Sequence, residues 1–501
     1  MEEHTAKIIK GRYRWLLSIV LFLQMANCNV VGQIFSFFFV NPIAECDEQY
    51  LNPISYECDL KRMCKDQVDI KIVDSLTFKN WATLFNLYCP ESNYVVVVQS
   101  IYFIASGLFP LCLASLPDKF GRMKMLNVMM IAMLGAFILA LIPNKICHCI
   151  SMFFCGGLIM IYNLESQIIT EYYSSEVRGV ITGIFCAAIP VFAIGFILMF
   201  YYLKDLTYFW YTLIGLQVLS ILIVSIFFVE SPLWYLSLNK KEEALEQLHK
   251  VAKINGKLSE YEEIEKIIND ASLNQSDEKK ESYSMLDVFR FKSTRKVVFL
   301  VAPFWTAVLL FDFTVFLNLE KSGSNIYIHG IVVFISCTAS ALIAGGLADW
   351  LGRKKMLVLS VLFSCIPYVF TPYCSQHENL FYVETVLLFM ACISIETAFT
   401  VVIIYASEVF PTSIRSTASG CLYLCSRMGA IAAPYTVSYL QYPQYLVSGI
   451  LIVTLFLIAQ LKETKGLKLE TDVEEKLKKE DLIPKEEVEE EKNDIDIKIE
   501  N

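Results

Sequence analysis

The sequence predicts an all-α membrane protein with twelve transmembrane helices in two related halves. Three observations lead to this fold class: an apolar composition, twelve apolar runs long enough to cross a bilayer, and a charged turn motif that recurs in the second half. Of the 501 residues, 55% are hydrophobic and 19% are charged, a balance typical of chains whose solvent is largely lipid.

The twelve expected spans follow from the length that a helix needs to cross the hydrocarbon core, about 20 apolar residues. The first apolar run reaches about residue 40, which is too long for a cleavable signal, and we expect it to be retained. The spans are expected near residues 15–39, 94–116, 124–143, 147–170, 180–203, 208–229, 298–318, 325–348, 355–373, 380–405, 416–440 and 443–461.

Basic residues predict the orientation of these spans. They cluster in segments that all fall on one side, which the positive-inside rule assigns to the cytoplasm together with both termini. We expect a multi-pass protein of the plasma membrane. Its expected parts are a cytoplasmic N-terminus (1–14), a first six-helix half (15–229) with an extracellular loop (41–93), a cytoplasmic linker with short helices (230–297), a second half (298–461) and a charged cytoplasmic tail (462–501).

Four of the sixteen cysteines lie in the polar segment between the first two spans: Cys46, Cys58, Cys64 and Cys89. An even number of cysteines in an extracellular loop indicates two disulfide bonds, with three possible pairings. The alternatives are four free thiols or a metal site. The segment has no C-x-x-C pair and no nearby histidine, so we do not expect zinc.

An internal repeat is the strongest sign of two related halves. Three pairs of acidic residues recur at offsets between 231 and 237 residues: Asp118 with Asp349, Glu171 with Glu408, and Glu230 with Glu463. Glu171 and Glu408 also stand seven residues before Arg178 and Arg415, respectively.

The repeated turns indicate a conformational switch at the cytoplasmic face. Gly121 and Gly352 permit the reversed backbone of a tight connection between adjacent spans. Charge pairs around these turns could hold one face closed and break when it opens; an alternative is that the basic residues only set the topology. The switch residues are Asp118, Gly121, Arg122, Glu171, Arg178, Asp349, Gly352, Arg353, Glu408 and Arg415.

At these turns the sequence resembles the major facilitator superfamily, whose loop signature is G-x-x-x-D-x-x-G-R-x-K/R. The second copy keeps Gly345, whereas the first has Ala114 in place of the leading glycine. More narrowly, the chain resembles the organic cation, organic anion and carnitine transporters of solute carrier family 22. Segments that carry this resemblance are the cysteine-bearing outer loop, which closes with residues 80–89, and residues 230–236, 405–415 and 461–466.

The resemblance implies two pseudo-symmetric six-helix bundles, the fold of this superfamily, around one cavity that is exposed alternately to each side. It also implies secondary transport of a small organic ion. Sugar porters share the loop signature but generally lack the long cysteine-bearing loop, so we consider a sugar porter-like carrier a less favoured alternative.

Ionisable residues inside the spans are costly to bury and are therefore candidates for the cargo site. They are Glu165, Asp312, Glu396 and Arg427. Arg427 stands where anion and carnitine transporters tend to carry arginine, and its guanidinium suits a substrate carboxylate. The structural alternative is an ion pair between Arg427 and Glu396 on adjacent helices.

Three intramembrane acids against one base predict a positive or zwitterionic ligand. Alternatively, the acids are protonated and serve proton coupling. Tyr162 and Trp305 match aromatic cavity positions of the family and could contact an ammonium group by cation–π attraction. Ordinary packing is the better explanation for any single ring, and only the nearby acids favour these two.

We therefore expect an organic cation or a carnitine-like zwitterion as cargo. The alternatives are an organic anion, a sugar-like substrate, or a non-transporting sensor that signals through the charged tail. Membrane lipid and a coupling proton or sodium are the other expected partners. The acidic linker and tail argue against nucleic acid. The sequence has no nucleotide-binding loop, nucleophile elbow or metal constellation, so we expect no enzyme activity, cofactor or metal.

Overall fold

Long helices make up most of the structure, which is a computed structural model. It describes residues 8–465 apart from 48–49, 51–57, 59, 69, 74–76, 88, 90–92, 114, 174, 239, 263–264, 266–284, 291, 320–324 and 411–414. The long helices are α1 (Arg12–Gln33), α2 (Tyr94–Leu113), α3 (Arg122–Leu139), α4 (Lys145–Gly157 continued by Ile161–Tyr172), α5 (Ser175–Leu203), α6 (Thr207–Phe227), α7 (Lys292–Leu317), α8 (Ile326–Leu351), α9 (Arg353–Cys374), α10 (Phe381–Val409), α11 (Arg415–Tyr439) and α12 (Pro443–Ala459).

These twelve helices correspond one to one to the twelve predicted spans. In the described part of the chain, ten of them are at least 18 residues long and apolar enough to cross a membrane. Helix α12 is apolar but has 17 residues. Helix α11 has 25 residues and carries Arg427 with several serines and threonines. The all-α membrane fold class is therefore confirmed.

Two spans are less regular than the sequence predicts. The first was expected to be continuous over 15–39, but α1 ends at Gln33 and Phe35–Phe39 form a tighter 3-10 turn whose five residues are all buried. Helix α4 is interrupted by a 3-10 turn at Leu158–Met160. Just before it, a side chain at Gly157 would meet the Phe109 ring at 2.5 Å, so this glycine allows α4 to pack closely on α2.

The helices pack mainly within each half, and two pairs of long helices make most of the described contacts between the halves. Helix α1 packs on α5 and α6 in the first half, while α7 packs on α10, α11 and α12 in the second. The joining pairs are α2 with α11 and α5 with α8. In the internal repeat, α2 corresponds to α8 and α5 corresponds to α11. The repeat therefore converts the α2–α11 pair into the α8–α5 pair.

The loop between α1 and α2 is fastened to the first half. Strands Ala44–Glu45 and Lys71–Ile72 pair antiparallel, and disulfide bonds join Cys46 to Cys58 and Cys64 to Cys89.

The backbone of Lys79 extends this attachment by exchanging hydrogen bonds with Lys204 and Leu206 at 2.9 Å. We call the end of the molecule that carries this loop the loop end. The opposite end, with Gly121 and Gly352, is called the turn end.

We expect the disulfide pairing to be found directly by peptide mapping. Trypsin cleaves after Lys61, Arg62 and Lys65, so it separates Cys58 from Cys64. In a non-reduced digest of thiol-blocked protein, Cys46 and Cys58 should be linked within one peptide. Cys64 should be linked to the peptide that contains Cys89. A bond between Cys58 and either Cys64 or Cys89 would contradict this arrangement, and the reduced digest is the control.

Candidate functional site

The two repeated turns have the same left-handed backbone. Gly121 has φ +106° and Gly352 has φ +94°, a region that strains any residue with a side chain. Gly121 ends a short helical stretch and Gly352 ends α8, and each glycine starts the next long helix, α3 or α9.

A glutamate from the far end of each half caps the helix that follows the turn. The carboxylate of Glu230 accepts hydrogen bonds from the backbone N–H groups of Arg122 and Met123 at 2.8 and 2.9 Å. Glu463 accepts from Arg353 at 2.8 Å and from Lys354 at 3.2 Å. A negative charge at a helix N-terminus also interacts favourably with the helix dipole.

Glu463 remains charged at neutral pH. Burial raises the pKa of its carboxyl group, but four backbone N–H donors outweigh this effect and hold the pKa below its ordinary value. Because the folded pKa is depressed, the cap stabilises the protein above the unfolded pKa of about 4.3 and is lost as the pH falls through the lower folded value.

Arg353 connects this turn to α10. Its Nε and Nη2 atoms donate to Glu408 at 3.0 and 2.6 Å, and Nη2 lies 2.7 Å from Asp349. The first-half pair of Arg122 and Asp118 is longer, at 3.6 Å. Each of these ion pairs lies within one half of the protein.

Three predicted switch residues cannot be placed in this network. The side chains of Glu171, Arg178 and Arg415 lie outside the described residues. Their roles therefore stay predictions.

Two carboxyl groups meet between α7 and α10. Asp312 is 8% exposed and interacts directly with the side chain of Glu396. The thiol of Cys337 on α8 lies 3.4 Å from Glu396 Oε1 and donates to it. Among the described residues, no lysine, arginine or histidine forms an ion pair with either acid. A buried pair of this kind favours a proton or a bound cation.

The first half reaches the acid pair through α5. The hydroxyl of Tyr162 lies 3.2 Å from the thiol of Cys186. Cys186 in turn lies within electrostatic range of Glu396. Tyr162 is thus near the acids through an intervening thiol. Cys186 was not predicted as a site residue, because a free cysteine in an apolar run usually packs as a small hydrophobic residue.

Arg427 is held by its own helix. Its guanidinium lies 4.2 Å from the ring centroid of Tyr423 and donates to the Tyr423 hydroxyl. The predicted alternative, an ion pair with Glu396, is not among the ion pairs of the described residues, and the guanidinium contacts a tyrosine one turn away instead. Its Nε atom has no hydrogen-bond partner among the described residues.

Trp305 links the arginine region to α10. Its ring centroid lies 6.3 Å from that of Tyr423 and 6.4 Å from that of Phe399. Thr306 Oγ1 donates to the Cys425 carbonyl at 3.0 Å, which fixes the relative height of α7 and α11. From this register, Asp312 lies about four residues, or about 6 Å, closer to the loop end than Arg427.

Glu165 is a further acid in the first half. It is fully buried, and neither carboxyl oxygen has a hydrogen-bond partner among the described residues. Burying such a group as an unpaired anion is very costly, so we expect it to be neutral.

A duplicated twelve-helix membrane bundle with matching charged turns defines a membrane transporter of the two-bundle type. The family model for the Major Facilitator Superfamily matches residues 91–434 and 318–485, and the chain belongs to this superfamily. Its curated relatives place it in the organic cation, organic anion and carnitine transporter branch.

The chain is 26% identical to human organic cation/carnitine transporter 2 over 408 residues, covering 79% of this chain and 71% of the relative. It is 27% identical to organic anion transporter 3 from Sus scrofa over 369 residues, covering 70% and 65%. Among solved structures, the inward open xylose transporter XylE from E. coli superposes with a TM-score of 0.59 at 14% identity, covering 94% of this chain and 98% of that one. At this identity the likeness concerns the fold.

We expect Gly352→Ala to destabilise the protein by about 1–3 kcal/mol, because φ +94° is strained for alanine and its Cβ would lie 2.8 Å from Glu463 Oε2. The matched control is Gly346→Ala on α8, where an added Cβ meets nothing within 4 Å. Thermal unfolding of the purified proteins in detergent measures both changes. Equal melting temperatures for the two variants would contradict the proposed role of the turn.

Proposed function

We propose that this protein is an alternating-access carrier of the plasma membrane that transports a small organic cation or a carnitine-like zwitterion. The acid pair of Asp312 and Glu396 carries the proposal. Two carboxyl groups that face each other inside a bundle without a basic partner are suited to a positive group.

Each candidate residue has a proposed role. The ammonium group of the substrate binds at the acid pair, and the rings of Trp305 and Tyr162 add cation–π attraction. Arg427 receives a carboxylate when the substrate has one. The height difference of about 6 Å between Asp312 and Arg427 is comparable with the charge separation of a small zwitterion.

Proton coupling follows from the same pair. Two adjacent buried carboxyl groups cannot both be ionised at acceptable cost, so at least one holds a proton when no cation is bound. An entering cation would favour release of that proton. We therefore propose the proton, rather than sodium, as the coupling ion.

An organic anion carrier is the second candidate. The Nε atom of Arg427 is buried without a partner among the described residues, and anion transporters are among the relatives. In this case Arg427 would dominate binding and the acids would remain protonated.

The proposed motion uses residues 15–229 and 298–461 as two bodies, joined by the linker 230–297. Both termini are proposed to be cytoplasmic, which places the turn end inside the cell. Within the second body, the Arg353–Glu408 contact and the Glu463 cap would keep the ends of α9, α10 and α12 together while the bodies rock.

Uptake of labelled tetraethylammonium, carnitine and an aryl carboxylate into expressing cells tests the proposal. We expect uptake of the first two by the wild type, and at least a roughly tenfold loss of both in Asp312→Asn, since removing one partner of a desolvated charge contact costs more than about 1.4 kcal/mol. Arg427→Ala should lower carnitine uptake while tetraethylammonium uptake persists. An inward proton gradient should slow cation entry.

Surface biotinylation corrects for expression, and Glu384→Gln is the matched control. Glu384 is also a buried acid of α10, but it lies twelve residues, or about 18 Å, from Glu396 toward the loop end. Uptake of the aryl carboxylate alone, abolished in Arg427→Ala, would establish the anion carrier instead.

A further inference from the structure

Aromatic rings from both halves meet at the loop end. Tyr327, in the first turn of α8, has its ring centroid 5.8 Å from that of Phe37 and 5.5 Å from that of Tyr201. Phe37 belongs to the 3-10 turn after α1, and Tyr201 lies near the end of α5. A ring of the second half is thus placed against two rings of the first.

The backbone near Tyr327 allows this close approach. Gly330 lies three residues further along α8, where an added Cβ would be 2.8 Å from Ile197 Cδ1 and 3.4 Å from Phe37 Cζ. Asn325 fixes the start of the helix by accepting hydrogen bonds from the N–H groups of Tyr327 and Ile328. The position of the Tyr327 ring is therefore determined by the helix start and by tight packing.

Two other contacts join the halves, the first beside Asp312 and the second at the loop end. The rings of Phe103 on α2 and Phe313 on α7 meet edge to face at 4.5 Å. Tyr439, the last residue of α11, lies with its hydroxyl 3.3 Å from Asn93 Oδ1 before α2. At the loop end itself, the halves therefore contact each other at the Tyr327 rings and at Tyr439.

Tyr327 lies nearer the loop end than Cys337, the residue of the same helix that contacts the acid pair. Cys337, which contacts Glu396, follows it by ten residues, or about 15 Å along α8. Because 327, 330, 334 and 337 recur at helical spacing, they share one face of α8. A group entering from the loop end toward Glu396 would pass the Tyr327 ring.

We propose that Tyr327, packed against Phe37 and Tyr201, is the gate that closes the candidate cargo site from the extracellular side. The ring travels with the second half while its two partners travel with the first, so the contacts break when the loop end opens. This inference rests on the alternating access proposed above, but it does not depend on which substrate is carried.

Thiol accessibility tests the gate without any substrate. The parent keeps Cys337 as its one free cysteine, with the four loop cysteines left in their disulfide bonds. A charged, membrane-impermeant methanethiosulfonate is applied outside intact cells. Loss of the ring contacts should raise the rate of Cys337 modification about tenfold or more in Tyr327→Ala. Tyr327→Phe retains the ring and should stay within about twofold of the parent.

Reagent applied to the turn end in inside-out vesicles provides the second measurement, and a parallel series keeps Cys186 on α5 as the reporter. Modification from the turn end should be no faster in Tyr327→Ala than in the parent. The gate is rejected if Tyr327→Ala leaves the outside rates of both reporters unchanged, or if Tyr327→Phe raises them as much as alanine does. If the wild type shows no cation uptake but Tyr327→Ala still speeds outside modification of the reporter cysteines, the proposed cargo is refuted and the proposed gate is supported.

Discussion

A charge taken out of water must find a partner, and this requirement separates the charged groups of the bundle into two kinds. At the turn end, Arg353, Glu408 and Glu463 have close partners at distances typical of strong charge-assisted hydrogen bonds. In the centre, Asp312 and Glu396 meet each other rather than a cation. The first arrangement needs nothing further, whereas the second is incomplete without a proton or a ligand.

The repeated turns show how much sequence can change while one physical solution is kept. In both halves a glycine with positive φ brings a helix N-terminus onto a distant carboxylate. The next donor differs: Trp234 Nε1 donates to the Asp118 carbonyl at 2.8 Å, and Lys465 Nζ donates to the Trp350 carbonyl at 2.6 Å. The two carbonyls are one position apart in the repeat, and an indole or an ammonium group can bind either of them because a carbonyl requires only a donor.

Hydropathy and turn glycines were sufficient to predict the twelve spans, because both depend on local sequence. The function of Glu230 and Glu463 as helix caps was not predicted; they served only as repeat markers, since each is more than 100 residues from the helix that it caps. Tyr423 precedes Arg427 by one helical turn, so its contact could have been predicted from spacing. The early end of α1 could not, because tertiary packing of Phe35–Phe39 determines it.

The two ends of the protein are held by different chemistry. At the loop end the described contacts between the halves are mostly aromatic, and their strength depends little on salt. At the turn end the described ion pairs lie within one half, so in this state they stiffen the ends of α8, α9 and α10 rather than join the two bodies. Charges that become exposed when an end opens are screened by ions, whereas parted aromatic rings expose apolar surface to water. Under the proposed alternating access, the loop end would therefore have the stronger intrinsic tendency to close again, and a ligand at the acid pair would have to offset this tendency for the site to face outward.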